Sequence, residues 1–425
     1  MMTTPISKKV FIHSKYVCER AKTDAQKIAV YFKRNGYIII NNPRKADVII
    51  FNSCGYSNPI AQQCLQEIQK LKHYKADIVV IGGLPESDKE AYTKIFTGKT
   101  LSHKDLEHID ALFPHHSIKF KDLIDCNISW LTVDETTPSG ALKKILVRSP
   151  LTKKLYTMLY DIYFQTTLGK HYLLLSNPFD IPTDSIYRIE IARGCSFQCT
   201  YCAIRKGIGS FHSKPFATCI DEFEHGLAEG YTTFYITAPD PGCYGTDQGT
   251  SYPQLLDSIT SHAGNYQILL DGLNPVWLVR YLKDLIPILK RGNIVALSVP
   301  IQSGNSRILS LMRRYSDTKK MVDAIRTLKH EVPHLTITTN CIVGFPTETN
   351  DEFYDTLRFV EHAGFDMGFI NPISLKQQTK AADLEPKIPD DEIRNRIHTA
   401  KTRLKRLRYN AFLTKTGGVV FGGKH

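Results

Sequence analysis

The sequence predicts an α/β protein built from two successive series of strand–helix units. The first series would form an N-terminal doubly wound parallel α/β domain, and the second, larger one is a set of six βα units. Three observations predict this. Short apolar runs alternate with amphipathic stretches over residues 9 to about 85, and the alternation returns on a longer period from 186 to about 384. Strands separated by helices imply parallel pairing. Three cysteines, Cys195, Cys199 and Cys202, sit directly behind the first strand of the second series.

Element by element, Lys9–His13 is a short apolar strand, and Asp24 to Asn35 reads as a helix ended by Gly36. Tyr37 to Ile40 and Ala46 to Phe51 are strands; Pro59 to Lys72 is a helix with proline in its first turn; Asp77 to Ile81 is again a strand. This gives a domain over 1–87. Residues 88–185 read as a helical insertion and connection, with a Lys-rich amphipathic segment from Ala141 to Leu168 interrupted at Pro150. Over 186–384 the strands are Ile186–Ile191, Thr233–Thr237, Gln267–Leu270, Ile294–Val299, Leu335–Thr339 and Met367–Ile370. Residues 385–425 form a basic helix and tail. Ile393, Ile397, Ala400, Leu404 and Leu407 recur at helical spacing, so an apolar stripe should dock this helix on the body.

Composition narrows the class. The 425 residues contain no apolar run of transmembrane length, and the opening Met1-Met2-Thr3-Thr4-Pro5 lacks a hydrophobic signal core. Ten unevenly clustered cysteines without an export signal read as metal ligands plus ordinary thiols, and a reduced cytoplasm is the expected location. The net charge of +12 is concentrated at the end: from Ile393 to His425 there is no Asp or Glu, against nine Lys and Arg. Such a helix either contacts phosphates or is a solvated terminal element.

The cysteine spacing CxxxCxxC offers three thiolates to one small centre. Thiolates are the usual protein ligands of iron–sulfur clusters, and a four-iron cube given three keeps one iron open to a chelating molecule. A zinc knuckle or three buried thiols are the alternatives, though structural zinc takes four protein ligands. The motif resembles that of the radical S-adenosylmethionine (SAM) superfamily. That resemblance implies a [4Fe-4S] cluster on Cys195, Cys199 and Cys202, SAM on the open iron, and an open, partial (β/α)6 barrel of the TIM type with its chemistry at the carboxyl ends of the strands.

The likeness extends to the methylthiotransferase branch, which inserts sulfur and a methyl group at unactivated C–H bonds. Cys202 to Pro215, Val299 to Gly304, Arg307 to Arg313, Ile342 to Thr349 and Thr379 to Ala382 resemble family motifs in the family's order. Asp240-Pro-Gly-Cys-Tyr-Gly-Thr-Asp247 is similar to a D-x-x-x-Y-G-x-D element of the subfamily that modifies a ribosomal protein. Independently of the family, Tyr201, between two of the cysteines, would cover the cluster or flank adenine, and Asp240 would accept from SAM or serve as a turn residue before Pro241. Gln302 and Ser303 would point polar groups into the barrel mouth, and Gly344 would allow a ligand close to the backbone.

The family carries a second iron–sulfur cluster on three cysteines of its N-terminal domain. Cys18 and Cys54 match the first two positions, but Gly83 stands at the third. Cys64 and His13 are the nearest substitutes, and a buried apolar thiol is an equal reading of Cys64. The family also ends in a small β-barrel that binds substrate, for which too few residues follow Leu407. Recognition would then rest on the basic helix or on 88–185. The expected substrate is a peptide or protein or a tRNA, the basic residues leaving tRNA open and the D-x-x-x-Y-G-x-D element leaning slightly to a peptide or protein, and a flavodoxin- or ferredoxin-like protein would donate electrons. Two other readings stand beside this one: a single-cluster radical SAM enzyme with different chemistry, and a non-catalytic iron–sulfur protein that binds RNA or the ribosome.

Overall fold

A computed structural model describes residues 8–14, 19–123, 186–407, 409–414 and 417–424. Among them the chain forms two compact units.

The N-terminal unit is a five-stranded parallel sheet: β1 (Lys9–His13), β2 (Ile38–Ile39), β3 (Val48–Ser53), β4 (Asp77–Gly82) and β5 (Lys99–Leu101), in the order β2-β1-β3-β4-β5. β3 is buried along its whole length, as a central parallel strand covered on both faces must be. Side chains alternate between faces. Val10, Ile50, Val79 and Ile81 enter a core with Ile28 and Phe32 of the helix Glu19–Arg34. Phe11, Ile49, Phe51 and Val80 enter another with Cys64 and Ile68 of the helix Asn58–Leu71. The strand order reverses between β1 and β3, and ligands of doubly wound sheets collect outside the carboxyl ends at such a point.

This unit runs past 87. β5 pairs with β4, and Leu106, Ile109, Phe113, Phe120 and Leu123 fill the core on the side of the helix Glu19–Arg34. Residues 88–123 are therefore part of the domain and not an insertion. The segment Ala141 to Leu168 lies outside the described residues. The short helix Arg205–Ile208 also belongs to this unit, where a side chain on Gly207 would meet Glu86 at 3.6 Å.

In the second unit β6 (Tyr187–Glu190) is followed by a two-stranded pair, β7 (Ala192–Arg193) and β8 (His212–Ser213). β9 (Thr233–Thr237), β10 (Gln267–Leu270), β11 (Ile294–Ser298), β12 (Thr336–Val343) and β13 (Met367–Pro372) line up in parallel beyond β6 in chain order. Helices alternate with these six strands, which is the expected (β/α)6 arrangement. The carboxyl-terminal segment does more than form a helix. β14 (Tyr409–Leu413) and β15 (Val419–Lys424) make an antiparallel hairpin, and β15 extends the sheet beside β13. No helix among the described residues is long and apolar enough to cross a membrane.

Candidate active site

The three cysteines occupy the turn that leaves β7, and local geometry explains the residues around them. Gly194 has φ +70°, and a side chain there would fall 1.9 Å from the Ser210 carbonyl oxygen, so only glycine lets the loop start. The Cys202 amide donates to the Cys199 carbonyl at 3.2 Å, closing the turn that gathers the thiols. Thr200 staples it to the end of the helix Ser306–Leu311: its amide donates to the Met312 carbonyl at 3.1 Å and its hydroxyl to the Leu311 carbonyl at 2.8 Å.

All three cysteines are half-buried. Burial pushes the Cys195 thiol up to about 12, and nearby Asp240, Cys199 and Cys202 add to the effect, opposed by a hydrogen bond from the Phe197 backbone. A bare thiolate is thus unfavourable here, whereas a coordinated sulfur is deprotonated outright. Arg314 brings a cation: one guanidinium nitrogen lies 4.0 Å from Cys199 Sγ, and another donates to the Pro300 carbonyl. Three soft sulfur donors within electrostatic range of one another, with a fixed positive charge beside them, fit an anionic iron–sulfur cluster.

Asp240 lies at the carboxyl end of β9 and is buried. One carboxylate oxygen accepts from the Ser196 hydroxyl, inside the cysteine motif, and the other from Trp277 Nε1 at 2.9 Å. Burial raises its carboxyl above the usual range, and these donors pull it back. In this structure Asp240 anchors the cysteine loop. The remainder of its motif is also internally engaged. The Tyr244 hydroxyl donates to the Lys214 carbonyl at 3.1 Å, and Asp247 accepts from the Ser213 amide at 2.8 Å. Gly245, at φ +83°, leaves no room for a side chain against Thr250. The element clips two loops together.

Tyr201 packs on a small apolar cluster of Ile308, Met312, Ile342, Phe345 and Ala381. Gln302 is half-buried and left-handed at φ 71°, bridged to Cys341; its amide donates to Asn340 and its carbonyl accepts from Ile342. A non-glycine residue in that region is held by its surroundings. Ser303 is fully buried, its hydroxyl 3.2 Å from Thr356 Oγ1 on the helix Asn350–Ala363. Gly344, at φ +83°, receives Ile393 where a side chain would stand, and its amide donates to Glu348 at 2.7 Å. Ser303 and Gly344 thus engage neighbouring helices of the fold.

In the N-terminal unit Cys54 follows β3 at the switch point and is half-buried. Cys64 is fully buried, its sulfur accepts the Cys54 amide at 3.5 Å, and burial pushes its thiol up to about 11. His13 stacks between Phe11 and Phe51 and faces Glu67 at 3.6 Å. Gly83 stands beside Gly55, whose amide would lie 3.7 Å from an added side chain. Cys18 lies outside the described residues. Those described present one accessible thiol at this place, so they do not by themselves fit a three-cysteine cluster.

The Radical SAM superfamily model matches residues 189–360, and the model described as uncharacterized protein family UPF0004 matches residues 9–101. A threonylcarbamoyladenosine tRNA methylthiotransferase of Xenopus laevis is 28% identical over 411 residues, covering 95% of this chain and 65% of that protein. A probable threonylcarbamoyladenosine tRNA methylthiotransferase of Pyrococcus horikoshii is 26% identical over 375 residues, covering 88% of this chain and 79% of that one. Both domains thus match in order. Over most of its length the chain is similar to radical SAM methylthiotransferases. The radical SAM methyltransferase TsrM of Kitasatospora setae shares its fold, with a TM-score of 0.59 at 10% identity over 88% of this chain and 74% of that one. The chain spans just under two thirds of the Xenopus methylthiotransferase's length. Sequence reasoning missed Ser196, Trp277 and Arg314, whose partners lie 44, 37 and 115 residues away in the chain, beyond any local pattern.

Proposed function

We propose that the chain is a radical SAM methylthiotransferase acting on a tRNA, with Cys195, Cys199 and Cys202 holding a [4Fe-4S] cluster. The observation that carries this is the half-buried three-thiol turn at the first strand of the six-stranded parallel array, buttressed by Thr200, Ser196 and Arg314. When bound, such a cluster supplies the electron that splits SAM reductively, drawn from an external one-electron donor such as a flavodoxin- or ferredoxin-like protein. The chain's own residues orient and shield. Asp240 fixes the loop through Ser196, Tyr201 caps its apolar side, and Gln302 projects from a strained bridge beside β12.

The named relatives act on tRNA, which supports this reading, and the internal hydrogen bonds of the Asp240–Asp247 element are compatible with a structural role for it. A groove of about 640 Å³ lined by Tyr354, His398, Thr402, Arg403 and Arg406 offers an exposed aromatic ring among cationic groups, a combination that suits nucleic acid. The test is anaerobic reconstitution followed by dithionite and SAM, with release of 5′-deoxyadenosine and mass spectrometry of digested tRNA nucleosides. Cys199→Ala should lower 5′-deoxyadenosine release to the uncatalysed background, because two thiols hold a cube poorly. Release at the wild-type rate by the variant would sink the assignment.

Gly83 and the buried Cys64 favour a second reading, a one-cluster radical SAM enzyme without sulfur insertion. Iron counting separates the two: about eight irons per chain supports sulfur transfer, and about four supports this alternative.

A further inference from the structure

Arg314 has no part in the motifs that identify the family site, yet it is the cation placed against it. Its position is built. The helix Ser306–Leu311 ends with Arg313 in the left-handed region at φ 54°, and the Arg314 amide donates back to the Leu309 carbonyl at 2.9 Å. That turn aims the side chain at the cysteine loop, and Thr200 ties the loop to the same helix end through Leu311 and Met312. One guanidinium nitrogen is held by the Pro300 carbonyl at the end of β11, leaving the other 4.0 Å from Cys199 Sγ. The planar fork of arginine serves two fixed acceptors at once, which a lysine ammonium does less well.

We propose that Arg314 sets the reduction potential of the cluster carried by Cys195, Cys199 and Cys202, acting as a positioning charge through Cys199. The proposal rests on the cluster reading above. The potential of an iron–sulfur centre follows its net charge, its exposure and the hydrogen bonds to its sulfurs. Reduction adds one negative charge, so a permanent cation at a ligand sulfur stabilises the reduced form more than the oxidised form. Arg314 is half-buried, which limits screening by solvent and salt. The acid facing the same loop is Asp240, near Cys195, and its two oxygens are occupied by hydrogen bonds from Ser196 and Trp277. Arg314 therefore tips the local balance toward easier reduction.

The experiment is a redox titration of reconstituted full-length protein followed by EPR, without SAM or RNA, on the wild type, Arg314→Gln and Arg314→Lys. The expected result is full iron loading in all three, a more negative midpoint for R314Q, and a midpoint for R314K between the two. R314Q titrating with the wild type overturns the proposal. Where R314Q alone loses iron, R314K decides: a midpoint below the wild type supports the proposal, and one equal to the wild type overturns it. Failure of both variants to load overturns it by assigning Arg314 a purely structural role. Failure is distinguishable from failure of the cluster reading, in which the wild type itself would bind no iron at Cys195, Cys199 and Cys202.

Discussion

Gly82 and Gly83 stand side by side at the end of β4, and the backbone asks different things of them. Gly82 is left-handed at φ 108°, and a side chain would fall 2.2 Å from the Ser53 carbonyl oxygen. Gly83 is right-handed at φ −84°, with no neighbour nearer than 3.7 Å to an added carbon. Gly82→Ala should therefore cost roughly 2–3 kcal/mol in urea unfolding, from strain and collision with β3. Gly83→Ala should stay within about 0.5 kcal/mol of the wild type, and a reduced unfolded-state entropy favours its folded form. Equal losses would show that both glycines are structural, and Gly83 would cease to be a position open to a ligand. The sequence shows a glycine pair after a strand and nothing of this asymmetry, because φ depends on what β3 presents opposite. By contrast the CxxxCxxC spacing shows in the sequence as a local pattern, and the structure closes its second half with the Cys202 amide on the Cys199 carbonyl. Asp240 was legible only as a turn residue or a ligand; its bonds to Ser196 and Trp277 are made by the fold.

The helix Asp390–Arg406 shows how much of an element periodicity conveys. Ile393, Ile397, Ala400 and Leu404 are buried, as their spacing predicts. Arg396 departs from the basic face that charge counting suggests, and is itself buried. It donates to Glu348 at 2.9 Å, to the Glu348 carbonyl at 3.0 Å and to Asn350 at 3.1 Å, and lies over the Phe353 ring. Burial pushes the Glu348 carboxyl up to about 7 against the pull of Arg396 and the Gly344 amide. The pair clamps the helix to the loop that follows β12. Arg396→Met should destabilise this unit by about 3–5 kcal/mol, since it strands Glu348 without its cation, and adding Glu348→Gln should recover part of the loss. Thermal or urea unfolding of the single and double variants checks this, and additive losses would deny the coupling. Periodicity does not convey the β14–β15 hairpin, because its strands are short, β15 is rich in glycine, and they pair with each other and, through β15, with the distant β13.

For the molecule as a whole, the charge of +12 is a statement about partners and not about fold. Past its acidic first turn the helix Asp390–Arg406 carries only basic charges, and there Arg394, Lys405 and Arg406 are exposed and Lys401 is half-buried. Among the described residues none of the four makes an ion pair, whereas Arg403 is held by Glu361 at 2.9 Å. On the proposed tRNA substrate, free cations of this kind would contribute to binding by releasing counterions from phosphates, with a log–log salt slope of about 0.7–0.9 per contact. Replacing Arg394, Lys401, Lys405 and Arg406 together by alanine should flatten the salt dependence of tRNA affinity by up to roughly three units of slope. The variant leaves the buried stripe and Arg396 intact, so the fold should hold and SAM cleavage without RNA should proceed at the wild-type rate. Filter binding of tRNA across a salt series reads the slope. An unchanged slope would move the RNA contact off this helix, whereas a flattened slope with wild-type SAM cleavage separates substrate capture from radical initiation.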